Sequence, residues 1–328
     1  MIPILTLAEM KAVERKTLGE HGLTEFDMIT SAGEAVLETI KTMLADEEFE
    51  SHGGDLDEEG ASPSGLPPHS GTRLDTIAFV CGVGHNGADG LSAALAASQA
   101  GYTVVVYQIH SESGYSPETE KLQRQLAESD MTIQFIQSPL DLPIFHDVSL
   151  IVDGLLGSGI NRDPEGVLQS CIFGMNQSGA PILSIDLPSG LRCDTSAVGS
   201  GAVQASATIC LGAMKISAAF YPSSLAFGKV GYSPICFDEN LLSRQPSRMW
   251  LYTPEDAEND YPERDYTANK YTAGKVLVIA GSLGMHGAAV LSSNGALRAG
   301  AGMVKLAYPS SIHAETAIHL LEIIGAPI

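Results

Sequence analysis

The feature that most constrains this chain is an apolar run that breaks abruptly into glycine. Thr76-Ile77-Ala78-Phe79-Val80-Cys81 reads as a buried strand, and Gly82-Val83-Gly84-His85-Asn86-Gly87-Ala88-Asp89-Gly90 follows it directly. A helix of small apolar residues, Leu91 to Ala100, comes next. Glycines let one backbone approach another, or a ligand, closely, and a helix start carries partial positive charge. The spacing Gly82-x-Gly84-x-x-Gly87 fits a dinucleotide fingerprint. Asn86 and Asp89 distinguish it from a plain phosphate cradle, which has no use for a carboxylate.

The same alternation continues downstream. Strands are predicted at 75–81, 102–109, 132–136, 148–153, 181–186 and 207–211, and helices at 90–100, 116–129 and 164–178. Ser116-Pro117 and Asp163-Pro164 each place a cap before a proline at a first helical position. Upstream, Thr6-Leu7-Ala8-Glu9 is a capping box opening a helix to about Gly19. Met28, Ile29, Ala32, Val36, Ile40 and Met43 recur at helical spacing between Phe26 and Leu44. The expected fold is α/β, a three-layer Rossmann-like, mostly parallel sheet with helices on both faces. Residues 46–72 are rich in Gly, Ser, Pro and acids and contain no Lys or Arg, so they are expected to be a disordered acidic insertion.

The organisation expected is a first domain over 1–243, a linker over 244–273 where Pro246, Pro254 and Pro262 interrupt the apolar rhythm, and a second α/β unit over 274–328. That unit repeats the plan of strand, glycine loop and small-residue helix: Val276 to Ala280, Gly281 to Ala288, then Ala289 to Ala299 and a strand at Met303 to Ala307. It is shorter than a typical domain of about 100–150 residues.

The net charge of −21 argues against nucleic acid or an anionic membrane as partner. Five cysteines, none in a Cys-x-x-Cys pair, several of them in apolar strands, suit reduced thiols in a cytoplasmic compartment. Met1 to Lys16 lacks a signal-peptide pattern, and no apolar run approaches the ~20 residues of a membrane span.

In a parallel sheet the carboxyl ends of strands converge on one edge, where sites lie. Four segments fall there: His85 to Asp89; Asp153 with Gly157-Ser158-Gly159-Ile160-Asn161-Arg162-Asp163; Asp186-Leu187-Pro188-Ser189-Gly190; and Lys215. Asp153 and Asp186 each end an apolar strand, where an acid is either functional or a loop cap. Arg162 suits a phosphate or a surface ion pair. Asn86, Asp153 and Ser189 offer oxygen ligands with one carboxylate, which suits a weakly charged cation such as potassium, or else a hydrogen-bonded loop network.

Cys81 to Gly90, Ile151 to Gly159, Ser184 to Gly190 and Thr208 to Lys215, in this order, resemble the NAD(P)H-hydrate (NAD(P)HX) epimerase family, the YjeF N-terminal domain. Ile29-Thr30-Ser31-Ala32-Gly33 looks like its N-terminal helix motif, and the likeness covers about residues 1–240. Lys270, Gly274 to Gly287 and Asn294 to Gly302 resemble the beginning of an ADP- or ATP-dependent NAD(P)H-hydrate dehydratase, a ribokinase-like domain. The resemblance implies metabolite repair. Water addition to the nicotinamide ring gives NAD(P)HX as two epimers at ring carbon six; the epimerase interconverts them, and the dehydratase accepts the S form. It implies nucleotide contacts at His85, Asn86, Gly87, Ala88 and Asp89, at Gly157 to Asp163 and at Asp186, and a potassium ion on Asn86, Asp153 and Ser189. Asp186 is expected to accept and donate the proton, with Lys215 polarising or protonating the leaving oxygen, or only neutralising Asp186. The implied partners are NAD(P)HX as substrate and functional coupling to a dehydratase, with a homodimer left open. No dehydratase activity is expected from this chain, which stops before that family's catalytic glycine-rich Asp motif. The epimerase family's usual Asn-Asn-Gly-Gly-Asp reads His85-Asn86-Gly87-Ala88-Asp89 here, and Ser31 stands where Asn is common. A Rossmann dehydrogenase, with Glu112 placed for a ribose, and a non-catalytic nucleotide-binding protein are the rival readings.

Overall fold

Period-two alternation sorts the strand β2 (Thr76–Cys81) between two cores. Ile77, Phe79 and Cys81 face one, packed with Ile29, Val36 and Ile40 and with Leu91 and Leu122. Ala78 and Val80 face the other, packed with Cys171, Ile172 and Met175. A strand buried on both faces lies inside a sheet covered by helices on each side. In the computed structural model, which describes residues 1–45, 76–143, 145, 147–246, 249–261 and 263–328, that sheet has seven strands. The remaining six are β3 (Thr103–Ile109), β4 (Ile133–Ile136), β5 (Leu150–Gly154), β6 (Ile182–Ile185), β7 (Ala207–Leu211) and β9 (Lys229–Ser233). Their order is β4-β3-β2-β5-β6-β7-β9, and every pairing is parallel. The expected α/β class with helices on both faces is what the chain adopts. The acidic segment 46–72 lies outside the described residues.

The longer helices of this part are α1 (Leu7–His21), α2 (Glu25–Ala45), α3 (His85–Gln99), α4 (Pro117–Glu128) and α5 (Val167–Asn176); α2, α3 and α4 pack on one face of the sheet and α5 on the other. Thr6 caps α1 through the capping box with Glu9, and Ser116 caps α4 with Pro117 behind it. Two helix starts differ from expectation. Asp163-Pro164 does not begin a helix; α5 starts after Gly166, because the Asp163 carboxylate is drawn to Arg192 and the Ser200 amide instead. More consequentially, α3 begins at His85 rather than Gly90, so His85 to Asp89 form its first turns and only Gly82-Val83-Gly84 is a connection.

Glycine makes this early start possible. A Cβ on Gly87 would stand 2.0 Å from the Gly82 carbonyl oxygen, and one on Gly82 would stand 1.9 Å from the Leu155 carbonyl oxygen. The helix therefore passes directly over its own entry, against the loop that leaves β5.

A small second sheet, β10-β1-β8, joins β1 (Ile2–Leu5), β8 (Met214–Lys215) and β10 (Met249–Leu251). Part of the stretch 244–273, expected as a linker, is thus ordered structure: Met249-Trp250-Leu251 pairs antiparallel with Ile2 to Ile4 and gives β1 its second neighbour. Contacts divide the chain into units Met1–Thr253 and Pro254–Ile328. The second unit holds a parallel sheet of β11 (Lys275–Ile279), β12 (Met303–Tyr308) and β13 (Ile324–Pro327), with the helix His286–Arg298 burying Ala289 beside Val304, Leu306 and Tyr308.

Gly82→Ala is expected to cost about 1–3 kcal/mol or more, since backbone rather than a side chain must move to admit the methyl. Gly159→Ala, where a Cβ meets open space, is expected to stay within about 0.5 kcal/mol. Urea midpoints of the two variants check the contrast.

Candidate active site

The sheet order places a switch point at β2, whose chain neighbour β3 lies on one side and β5 on the other. Ligands of open α/β sheets bind in the crevice at the carboxyl ends of such strands. The Gly82 amide donates to the Gly154 carbonyl across the base of this crevice. From there the loops after β2, β5, β6 and β7 supply the side chains.

Asp153, fully buried at the end of β5, is the first centre. Its carboxylate accepts four hydrogen bonds: from Ser184 Oγ at 2.8 Å, Ser189 N at 2.9 Å, Ser189 Oγ at 2.6 Å and Leu155 N at 3.2 Å. Burial pushes the carboxyl above its usual range, and the bonds from Ser189, Ser184 and Leu155 pull it back. No lysine or arginine among the described residues pairs with it. Ser189 also accepts from Leu156 N at 2.8 Å, and Asn86 Nδ2 donates to Leu156 O at 3.0 Å. Asn86, Asp153 and Ser189 are therefore brought together around one turn, Leu155-Leu156. Gly157 is required beside them, since its Cβ would lie 2.9 Å from the Asn86 Cβ.

Asp186 and Lys215 form the second centre. Asp186 sits in the turn after β6 with φ 69°, a left-handed conformation that costs a non-glycine residue about 1 kcal/mol or more. Its carboxylate forms an ion pair with Lys215 and accepts from Leu211 N at 3.3 Å. Lys215 is fully buried, and its amine also donates to Leu211 O at 2.6 Å and Ala213 O at 2.9 Å. An ammonium has three donors, and all three are taken. Lys215 accordingly has no N–H left for a leaving oxygen; of the roles expected for it, neutralising Asp186 is the one this geometry supports. Burial opposes the charge on the amine, but Asp186 outweighs it and holds the pKa above its ordinary value. The nearby thiols are pushed up by burial, Cys193 to about 12 and Cys210 to about 11, so both are neutral at pH 7.

Asp89 lies in the second turn of α3, half-buried, and its carboxyl takes no hydrogen bond among the described residues. Burial raises its pKa well above the usual carboxylate range; Asp186 and Glu14 raise it further, and Lys215 opposes them. Glu14, on α1, has no expectation attached to it in the sequence, where it reads as one more acid on a solvated helix.

The other expected contacts divide. His85 is exposed at the first position of α3. Ala88 turns its methyl into the main core, so this departure from the family's glycine does not narrow the crevice. Ser158 and Ile160 are half-buried, whereas Gly159, Asn161 and Arg162 are exposed on the loop after β5. Asp163 is not left for a nucleotide: it holds Arg192 at 2.9 Å and the Ser200 amide at 3.1 Å.

These features define a Rossmann-like domain with a buried carboxylate hub and a carboxylate–lysine pair at its switch-point crevice. The chain belongs to the family described as YjeF-related protein N-terminus, whose model matches residues 25–217. A second model, described as NAD(P)H-hydrate dehydratase, matches residues 276–328. Among similar proteins are the bifunctional NAD(P)H-hydrate repair enzymes Nnr of Thermofilum pendens, 27% identical over 94% of this chain and 54% of the relative, and of Salinibacter ruber, 29% identical over 99% and 58%. The Nnr of Thermosynechococcus vestitus is 32% identical over 74% of this chain and 47% of its own length. The chain thus spans about half the length of the curated relatives it matches. A solved yeast structure, YNL200c, shares the fold with a TM-score of 0.52 at 18% identity, covering 71% of this chain and 87% of that one.

Lys215→Met is expected to destabilise by about 3–5 kcal/mol, because it leaves the Asp186 charge buried and alone. Adding Asp186→Asn to Lys215→Met is expected to recover part of that loss. Since the folded pKa of Lys215 lies above its ordinary 10.5, the pair's stabilisation is complete below that value and is lost as pH rises through the folded pKa. Urea melts from pH 7 to 11 should show this alkaline loss in the wild type and not in Lys215→Met.

Proposed function

We propose that this chain interconverts the R and S forms of hydrated NAD(P)H by acid–base chemistry at the crevice, supplying the S form to a dehydratase. The observation that carries this reading is the buried Asp186–Lys215 pair, which lies inside the segment matching the YjeF-related family. The similarity to bifunctional NAD(P)H-hydrate repair enzymes supports the choice of substrate.

Epimerisation at a carbon bearing oxygen needs a group that takes a proton and one that gives it. Asp186 is the acceptor: it is held in an ion pair with Lys215 in the turn after β6, at the carboxyl end of the sheet. The first turns of α3 and the loop 157–162 bind the dinucleotide, with backbone amides at the helix start and Arg162 available to phosphate.

The donor set of Asn86, Asp153 and Ser189 fits a potassium ion. It offers only oxygens as ligands, and its single carboxylate is buried without a cationic side chain to balance it. When bound, the ion would supply one positive charge beside Asp153 and fix the Leu155-Leu156 turn that borders the crevice.

Incubating the full chain with purified R-NADPHX should produce the S epimer well above the spontaneous rate. Asp186→Asn should lower kcat at least about 100-fold, within the range of general acid–base catalysis. Conversion no faster than the spontaneous reaction overturns the reading. Exchanging potassium for lithium should raise KM and lower the thermal midpoint of the wild type, and should do neither in Asp153→Asn.

A further inference from the structure

The acceptor described above leaves the proton donor unnamed, and Lys215 is not available for it, because its three N–H groups are held by Asp186, Leu211 O and Ala213 O. We propose that Asp89 is the proton donor of this crevice and that Lys215 is a positioning residue that only holds Asp186 in place. This rests on the epimerase reading.

Three observations point to Asp89. It sits in the second turn of α3, where Gly87 and Gly90 bring the helix against the ends of β2 and β5, and Asp186 and Lys215 are among its charged neighbours. Its carboxyl is free of hydrogen bonds among the described residues, in contrast to the four that hold Asp153. It is also surrounded by acids: Glu14 from α1 and Asp186 from the turn after β6 face it, with Lys215 from β8 and the Cys81 thiol from β2. Lys215 is committed to Asp186, so one ammonium serves three neighbouring carboxyls. Burial, with these like charges beside it, favours the protonated form of Asp89, the carboxyl without a cation of its own.

The bond from ring carbon six to its hydroxyl oxygen breaks with both electrons on oxygen, and the Asp89 proton passes to that oxygen, so water leaves. The lone pair of the ring nitrogen forms the carbon–nitrogen double bond. Water then adds to the opposite face, the double-bond pair returns to nitrogen, and the surplus proton goes to Asp186. Proton exchange with solvent restores the two carboxyls.

The test uses the full chain, R-NADPHX as substrate and NADPH as a binding probe. Asp89→Asn should lower kcat about 100-fold or more while changing NADPH affinity by far less than that. Glu14→Gln removes a neighbouring negative charge without touching the donor. It should keep the neutral-pH rate and move the alkaline limb of kcat to lower pH, because the acid form of Asp89 is then lost sooner. An active wild type whose Asp89→Asn variant keeps kcat within about fivefold, or whose alkaline limb stays in place in Glu14→Gln, overturns the assignment of Asp89. A wild type with no activity overturns the epimerase reading instead.

Discussion

The site depends on one buried carboxylate. Taking a charged group out of water costs several kcal/mol, and Asp153 meets that cost with four donors rather than with a cation. Those donors come from β6, from the turn that follows it and from the turn after β5. Satisfying Asp153 therefore fixes where Ser189 stands, and Ser189 in turn fixes Leu156 and, through it, Asn86 at the start of α3. Three chain segments far apart in sequence are tied to one point, a few residues from the carboxylate–lysine pair. An unbalanced charge at such a point is also where a monovalent cation has the most to contribute.

Steric constraint adds to this electrostatic one. Gly82, Gly87, Gly90 and Gly154 stack the start of α3 on the ends of β2 and β5 so closely that a methyl at Gly82 or Gly87 would meet carbonyl oxygen at 1.9 or 2.0 Å. The spacing that reads as a nucleotide fingerprint is, in the folded chain, first a packing device. It places His85 to Asp89 on a helix instead of a loop, and so aims Asp89 rather than leaving it free.

Much of this was legible in the sequence, for identifiable reasons. The strand runs from Thr76, Leu150, Ile182 and Ala207 are continuous and apolar because both faces of the sheet are covered, and the clean caps at Thr6 and Ser116 mark helix starts unambiguously. Asp153 and Asp186 stand out because acids at the ends of such runs have few structural reasons to be there. What was not legible depended on long-range geometry. Asp163-Pro164 has the form of a helix start, but Arg192, 29 residues on, claims the carboxylate. Met249-Trp250-Leu251 is too short to read as a strand without β1 beside it. Ala88 differs from glycine harmlessly because it faces the core, and Glu14 matters only because the fold carries α1 to the crevice. The exhaustion of Lys215's three donors by Asp186 and two backbone carbonyls has no sequence signal at all.

In the proposed reaction the crevice exchanges the two faces of a hydrated nicotinamide ring through loss and return of water. Running the conversion of R-NADPHX by the full chain in oxygen-18 water, and weighing the S product by mass spectrometry at early times, tests that claim most directly. One heavy oxygen is expected in each S molecule formed, with Asp186→Asn forming neither product nor label above background. Enzymatic conversion to the S form with the original oxygen retained would contradict it.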